Sequence, residues 1–174
     1  METPLCNFCI KSGILCQRCQ EKVQKGEVSE TDINIAKLLF NLENKYPILQ
    51  KISFYNTYEV DGVLAIIVGR NDLHKLLSSS RGLLRDITEK AHKKIRILEK
   101  QGIIRQFFED LFAPAAITAI NKIWLPDGST ETRVIVSGYY RRLPLKLKVI
   151  KELAKKARGI TLRIGFEHQS GKEF

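Results

Sequence analysis

The residues best suited to chemistry are four cysteines, all within the first twenty positions. They form two pairs, Cys6-x-x-Cys9 and Cys16-x-x-Cys19, and Gly13 lies in the segment that connects the pairs. A two-residue gap lets both sulfurs of a turn face the same point, so two such pairs can hold one tetrahedral metal ion as thiolates. The spacing predicts one structural zinc ion bound by Cys6, Cys9, Cys16 and Cys19.

Other uses of four cysteines fit the pattern less well. Two disulfides are disfavoured in a reducing cytosol, and a redox pair does not need four sulfurs so close together. A catalytic zinc is disfavoured because four cysteines leave no coordination site for water. A segment this short has little core of its own, so metal binding should supply its folding energy.

The second chemical feature is an excess of positive charge. The chain carries 29 Lys and Arg against 19 Asp and Glu, a net charge of +10, and such a surface attracts polyanions: RNA, DNA or an anionic membrane. The longest apolar stretch, residues 63–68, is far too short to span a bilayer. The first four residues lack the features of a secretory signal, so we expect a cytoplasmic protein with no membrane partner.

The elements that must position these groups follow from hydrophobic periodicity. A helix is predicted from Ser29, because apolar residues recur on one face until Pro47. Strands at residues 52–60 and 63–68 flank Asp61-Gly62, a dipeptide that favours a tight hairpin turn. A short apolar segment, a polar break, an amphipathic helix and a strand follow at residues 73–77, 78–82, 83–91 and 95–98.

The same order recurs later in the chain. A helix ends before Pro114, two strands flank Asp127-Gly128, and a basic amphipathic helix leads into a strand at residues 160–164. The apolar pattern of the helix that follows Gly82 matches the pattern that follows Lys148. This repetition predicts one structural unit used twice.

Each unit orders its elements as helix, strand, strand, helix, helix, strand, which resembles the type II KH fold. Phe112-Ala113-Pro114-Ala115 and Val68-Gly69-Arg70-Asn71 look like segments of the tandem KH region of the NusA family of transcription factors, and most like the short archaeal NusA-like proteins. The resemblance covers roughly residues 30–168. It implies an α+β chain with KH-like modules at 29–99 and 100–168 and a tail at 169–174, to which the cysteine spacing adds a zinc knuckle at 1–28.

The resemblance also implies where RNA would bind. KH modules grip about four unpaired nucleotides with a GXXG loop between paired helices. The equivalent stretch of the first module is Ser79-Ser80-Arg81-Gly82, whose hydroxyls and guanidinium could contact phosphate. Alternatively, these serines only cap a helix and Gly82 only relieves a turn. The neighbouring cations that would extend the basic rim are Arg70, Lys75 and Arg85.

The equivalent stretch of the second module, residues 145–148, has no glycine, so close approach of its backbone to phosphate is disfavoured. Cations crowd around it, and we expect an RNA-contact surface driven by charge; the alternative is a solvated helix face. The residues predicted to contact RNA here are Arg141, Arg142, Lys146, Lys148 and Lys151.

Three aromatic residues extend this picture. Tyr139 and Tyr140 adjoin the basic cluster and could stack on unpaired bases or belong to the core. Trp124 lies at the tip of the second hairpin, where exposure would indicate a partner contact and burial would indicate packing.

No catalytic pattern is recognisable. His74, His92 and His168 are scattered, and the sequence contains neither a nucleophile motif nor a glycine-rich nucleotide loop. We expect no enzymatic activity and no small-molecule substrate.

Two functions remain. The first is a non-catalytic protein that binds single-stranded RNA, as a NusA-like elongation or termination factor on nascent RNA or as a factor on ribosomal RNA. The second is an adaptor with degenerate KH modules that docks on RNA polymerase or the ribosome. The basic charge favours RNA, whereas the missing glycines favour the adaptor.

Overall fold

The structure, a computed structural model, describes residues 1–79, 82–100, 102–138 and 143–167. Within these ranges the chain forms seven α-helices and two three-stranded sheets, which confirms the predicted α+β class. The chain divides into two compact units, Met1–Gln101 and Gly102–Phe174.

The first unit begins with two short helices. Its helices are α1 (Asn7–Ser12), α2 (Gln17–Gln24), α3 (Glu30–Leu42), a 3-10 helix (Pro47–Lys51), α4 (Asp72–Ser79) and α5 (Leu83–Ala91). Its strands are β1 (Phe54–Val60), β2 (Val63–Val68) and β3 (Lys94–Glu99). The sheet has the order β1-β2-β3, with β2 antiparallel to β1 and parallel to β3.

Helix α3 starts where the sequence predicts, because Ser29 and Asp32 form a capping box. The Ser29 hydroxyl accepts the N–H of Asp32 at 3.1 Å, and the Asp32 carboxylate accepts the N–H of Ser29 at 2.7 Å. The other oxygen of the same carboxylate accepts from the N–H and hydroxyl of Thr57 in β1. Asp32 therefore ties the first turn of α3 to the sheet.

The predicted hairpin is confirmed. Asp61 and Gly62 both adopt positive φ, at 49° and 76°, as a tight two-residue turn between twisted strands requires. The parallel neighbour β3 is reached through α4 and α5, because parallel strands need a long connection.

The four-cysteine segment belongs to the first unit. Leu5, Cys9, Ile10 and Cys19 lie in the same hydrophobic core as the buried face of α3. The chain start is also fixed to the unit, since the N–H of Glu2 donates to Ile52 O at 2.9 Å and the N–H of Phe54 donates to Glu2 O at 2.8 Å.

The second unit has its own core. It contains α6 (Ile104–Phe112), β4 (Ile117–Trp124), β5 (Thr130–Val136), α7 (Leu147–Arg158) and β6 (Thr161–Phe166). The sheet order β4-β5-β6 repeats the antiparallel and parallel pairings of the first unit. The part of the second unit where a further helix is predicted, between β5 and α7, includes residues 139–142, which lie outside the described residues.

The sequence predicts no segment that spans a membrane. None of the helices in the described ranges is both long and apolar enough to cross a membrane.

Candidate metal centre and nucleic-acid surface

The two cysteine pairs have the same local structure. Cys6 and Cys16 are the N-cap residues of α1 and α2, with nearly identical backbone angles (φ −74°, ψ 150° and φ −72°, ψ 164°). Cys9 and Cys19 follow in the first turns of these helices. Gly13 ends α1 in the left-handed conformation, at φ 76°, and so turns the chain back toward the second pair.

The four sulfurs converge on one point. All four Sγ atoms lie within 4.8 Å of one another. Cys6 Sγ lies 3.2 Å from Cys9 Sγ and 3.9 Å from Cys16 Sγ. Tetrahedral bonds of about 2.3 Å place the sulfurs of a zinc site about 3.8 Å apart, so the group has the dimensions of a metal site.

Backbone amides donate hydrogen bonds to all four sulfurs. The N–H of Cys16 donates to Cys9 Sγ at 3.0 Å, and the N–H of Cys6 donates to Cys19 Sγ at 3.5 Å. The amides of Cys9 and Cys19 donate to the sulfurs of Cys6 and Cys16. Each sulfur therefore accepts an N–H from another cysteine of the set, an arrangement that stabilises thiolates.

These contacts and burial shift the pKa values of the four thiols in different directions. The N–H of Cys19 and then the Cys9 side chain lower the pKa of Cys16 to about 7, and the contacts of Cys9 lower the pKa of Cys6. The N–H of Cys16 favours the Cys9 thiolate, but burial and the neighbouring sulfurs outweigh it and raise the pKa of Cys9 to about 12. Burial raises the pKa of Cys19. A bound cation would offset the cost of ionising the two buried thiols.

The predicted cations of the first unit lie before α4 (Arg70), within α4 (Lys75) and in the first turn of α5 (Arg85). Arg70 is exposed, Lys75 pairs with Asp72 at 2.7 Å, and Arg85 pairs with Glu89 at 2.7 Å. Ion pairs whose cation is exposed to water are weak, so both cations can still turn to a phosphate. Ser79 ends α4, whereas Ser80 and Arg81 lie outside the described residues.

Gly82 has a packing role. A Cβ at this position would lie 2.8 Å from Tyr46 Oη. The Tyr46 hydroxyl donates to Asp86 Oδ2 at 3.0 Å, and Lys45 pairs with the same carboxylate. The close approach of Tyr46 therefore supports the alternative in which Gly82 serves packing. Sequence reasoning missed this approach because Tyr46 lies far away in the chain.

The predicted contacts of the second unit cluster at the start of α7. Leu145 is buried, Lys146 is the exposed N-cap residue, and Lys148 is exposed. Lys151 lies one turn further and is partly exposed. A buried side chain thus lies at the position that the sequence comparison aligned with the first glycine of a GXXG loop. Arg141, Arg142, Tyr139 and Tyr140 lie outside the described residues.

Helix α7 presents a mainly basic face, with Glu152 as the one acidic residue of the helix. Val149, Ile150, Leu153 and Ala154 are its buried side. Lys148, Lys151 and Lys155, spaced three and four residues apart, lie on the opposite side. The structure therefore gathers on one face cations that the sequence only shows to be close in the chain.

Trp124 is exposed over 70% of its surface, so it is not packed in the core. Lys122 Nζ lies 4.5 Å from the centre of its ring. Sequence reasoning missed Lys122, although its position two residues before Trp124 on a strand places both on one face.

No protein-family model matches this chain, and no curated protein matches it by sequence. Among solved structures the chain is similar to one described as "Crystal structure of APE1850", with 15% sequence identity and a TM-score of 0.47. The match covers 75% of this chain and 98% of that chain.

Proposed function

We propose that this protein is a non-catalytic, single-stranded RNA-binding protein whose two units act as tandem type II KH-like modules behind a zinc knuckle. The observation that carries the proposal is the lysine face of α7, which starts beside the loop where a KH module holds its nucleic acid. The proposed biological role is that of a NusA-like elongation or termination factor on nascent RNA.

The proposed metal is one structural zinc ion. Four thiolate ligands suit zinc, and they leave no open position for a water nucleophile. When bound, the ion supplies positive charge that holds two helix starts together, while the amides of the four cysteines orient the sulfurs.

Single strands are favoured over duplex because KH-like grooves accept unstacked bases, whereas an A-form helix hides them in a deep, narrow groove. The two units would contact RNA in different ways. The first keeps Gly82 and small hydroxyl residues near its loop, whereas Leu145 closes the second loop and leaves side-chain lysines as the contacts.

A competition assay tests this proposal. A labelled single-stranded RNA of about twelve nucleotides is bound to the full chain, and unlabelled single strand or duplex of the same length competes. We expect the single strand to compete more strongly. Equal competition would mean that bare charge attraction accounts for binding, and absence of binding would remove the proposal.

One observation favours the adaptor function as a second candidate. Phe8 and Ile14, on either side of Cys9, are exposed over 68% and 73% of their surfaces. Large apolar side chains held outward on a rigid metal knuckle are suited to a protein partner such as RNA polymerase or the ribosome. Recovery of such an assembly after RNase treatment, lost in a Phe8→Ser/Ile14→Ser variant, would support the adaptor.

A further inference from the structure

A groove of about 500 Å³ lies at the end of the second unit where the β4–β5 hairpin meets the start of α6 and the end of α7. Lys122 and Arg105 lie at the groove, and Thr130 supplies a hydroxyl. Arg105 pairs with Glu109 at 2.9 Å, so Lys122 is the main source of positive charge. The apolar part is formed by Ile104, Ile120 and Ile160. This groove is large enough for a nucleobase and its sugar, and its charged groups are cations.

Trp124 is paired with Thr130 across the hairpin and lies on the same strand face as Lys122. Within the described residues Lys122 forms no ion pair, and its ammonium lies over the tryptophan ring at 4.5 Å. An exposed indole beside an unneutralised ammonium can stack a base while the cation meets the adjoining phosphate.

The groove adjoins a second groove that lysines of α7 line. A neighbouring groove of about 470 Å³ shares Ile160 and Thr161 with it and is lined by Lys151 and Lys155. Glu152 and Glu131 also line this second groove, and Glu131 pairs with Arg163 at 2.9 Å. Helix α7, with twelve residues, covers about 18 Å between the predicted RNA loop and the hairpin.

A protein segment is the other occupant that an exposed tryptophan suggests. Three features favour nucleic acid. The lysines of α7 form a line, and this line begins at the loop proposed to contact RNA. The ring of Trp124 is exposed on the surface and does not form a closed apolar pocket. A polyanion that carries flat aromatic groups matches all three.

Building on the proposed function, we propose that the β4–β5 hairpin is a second RNA-contact site, at which Trp124 stacks on an unpaired base and Lys122 meets phosphate, with the strand led there by Lys148, Lys151 and Lys155. The site lies at the far end of α7 from the loop that KH modules use. It would extend the bound length of RNA and would contribute affinity with little sequence preference.

Trp124 is the single tryptophan of the chain, so its fluorescence reports on this site alone. The full chain is titrated with a twelve-nucleotide oligouridine, and two signals are followed: tryptophan emission and the anisotropy of a labelled copy of the RNA. We expect binding to quench the emission, and Trp124→Ala to weaken affinity by about 5- to 150-fold. Trp124→Phe should lose less, because a smaller aromatic ring still stacks.

Tyr55→Ala is a matched control. Tyr55 is an exposed aromatic residue of the first unit with Lys100 Nζ 3.9 Å from its ring centre, so it has the same cation–aromatic arrangement and does not line the groove. We expect its affinity for RNA to stay within twofold of the unmodified protein.

The failures of the two proposals are distinguishable. If anisotropy shows RNA binding but tryptophan emission does not change and Trp124→Ala keeps its affinity, the hairpin site is overturned. The proposed function is not affected by that result. Quenching by an acidic, leucine-containing peptide but not by RNA would overturn it in favour of a protein site. Absence of any RNA binding would overturn both proposals.

Discussion

Asp32 shows how one buried side chain can join two elements. The residue is 4% exposed, and its carboxylate accepts from the Ser29 amide, the Ser29 hydroxyl at 2.8 Å, and both donors of Thr57. Asp32→Ala leaves these donors without their acceptor, and we expect a loss of about 2–4 kcal/mol in the free energy of unfolding, measured by urea denaturation.

Asp127→Ala is the control for this prediction. Asp127 also accepts an amide and a hydroxyl, both from Ser129, but in an exposed turn where water can replace it. Its loss should cost less than about 1 kcal/mol. Similar costs for the two substitutions would show that Asp32 does not connect α3 to the sheet.

Gly82 can be tested for packing and for RNA contact separately. Its φ of −89° suits any residue, so Gly82→Ala should be harmful only through the close approach to Tyr46 Oη. We expect a cost of about 1–3 kcal/mol that shrinks in a Tyr46→Phe background.

The four variants of this double-mutant cycle also carry an RNA readout. If the glycine serves RNA, Gly82→Ala/Tyr46→Phe should regain stability yet bind RNA more weakly than Tyr46→Phe alone. Additive stability costs would contradict the packing role.

At the level of elements, helix α7 carries the strongest prediction. Replacing Lys146, Lys148 and Lys151 with Gln should weaken binding to all RNAs about equally. Removing one lysine–phosphate pair should lower the steepness of log affinity against log salt by about 0.7, so removing three should lower it by about 2.

A triple substitution in the first unit is the matched control. Lys25, Lys51 and Lys90 are exposed, and replacing them with Gln removes the same charge from the first unit while leaving α7 unchanged. We expect little change in the slope. Equal slopes for the two triple variants would mean that net charge, and not the face of α7, governs binding.

The helices and strands with clear periodicity were predictable from sequence. The hairpin at Asp61-Gly62 and the start of α3 at Ser29 follow from local chemistry, namely positive φ and capping. Helices α1 and α2 were not predicted, because six and eight residues give no readable periodicity. The contact between Gly82 and Tyr46 depends on tertiary packing, which local patterns do not encode.

At the level of the whole molecule, the shared core makes the metal important to the first unit. Because Cys9 and Cys19 are buried with the apolar face of α3, Cys16→Ser should lower the stability of this unit beyond the knuckle itself. Hydrogen exchange should show faster exchange in α3 and unchanged exchange in α7, and elemental analysis should show loss of zinc from one ion per chain.

Two outcomes would contradict this view. Unchanged protection of α3 in Cys16→Ser would mean that the knuckle folds independently. Wild-type protein that contains no zinc would contradict the proposed metal site. Protons compete with the metal for the four thiolates, so zinc affinity should decrease as the pH is lowered.

The cysteine positions were the most predictable part of the site, since spacing alone brings the sulfurs together. The amides that each sulfur accepts, the placement of the cysteines in the core of α3, and the groove beside Trp124 were not predictable. The amide contacts depend on the exact backbone path of the knuckle, and the shared core and the groove depend on residues that are distant in the chain and meet only after folding.

Ultraviolet cross-linking of the full chain to a single-stranded RNA, with mass spectrometry of the cross-linked peptides, tests the RNA-binding claim most directly. We predict cross-links on the segment that contains α7 and on the segment around Gly82, and we expect an excess of unlabelled single strand to remove them. Cross-links confined to residues 1–28, or none at all, would contradict the claim.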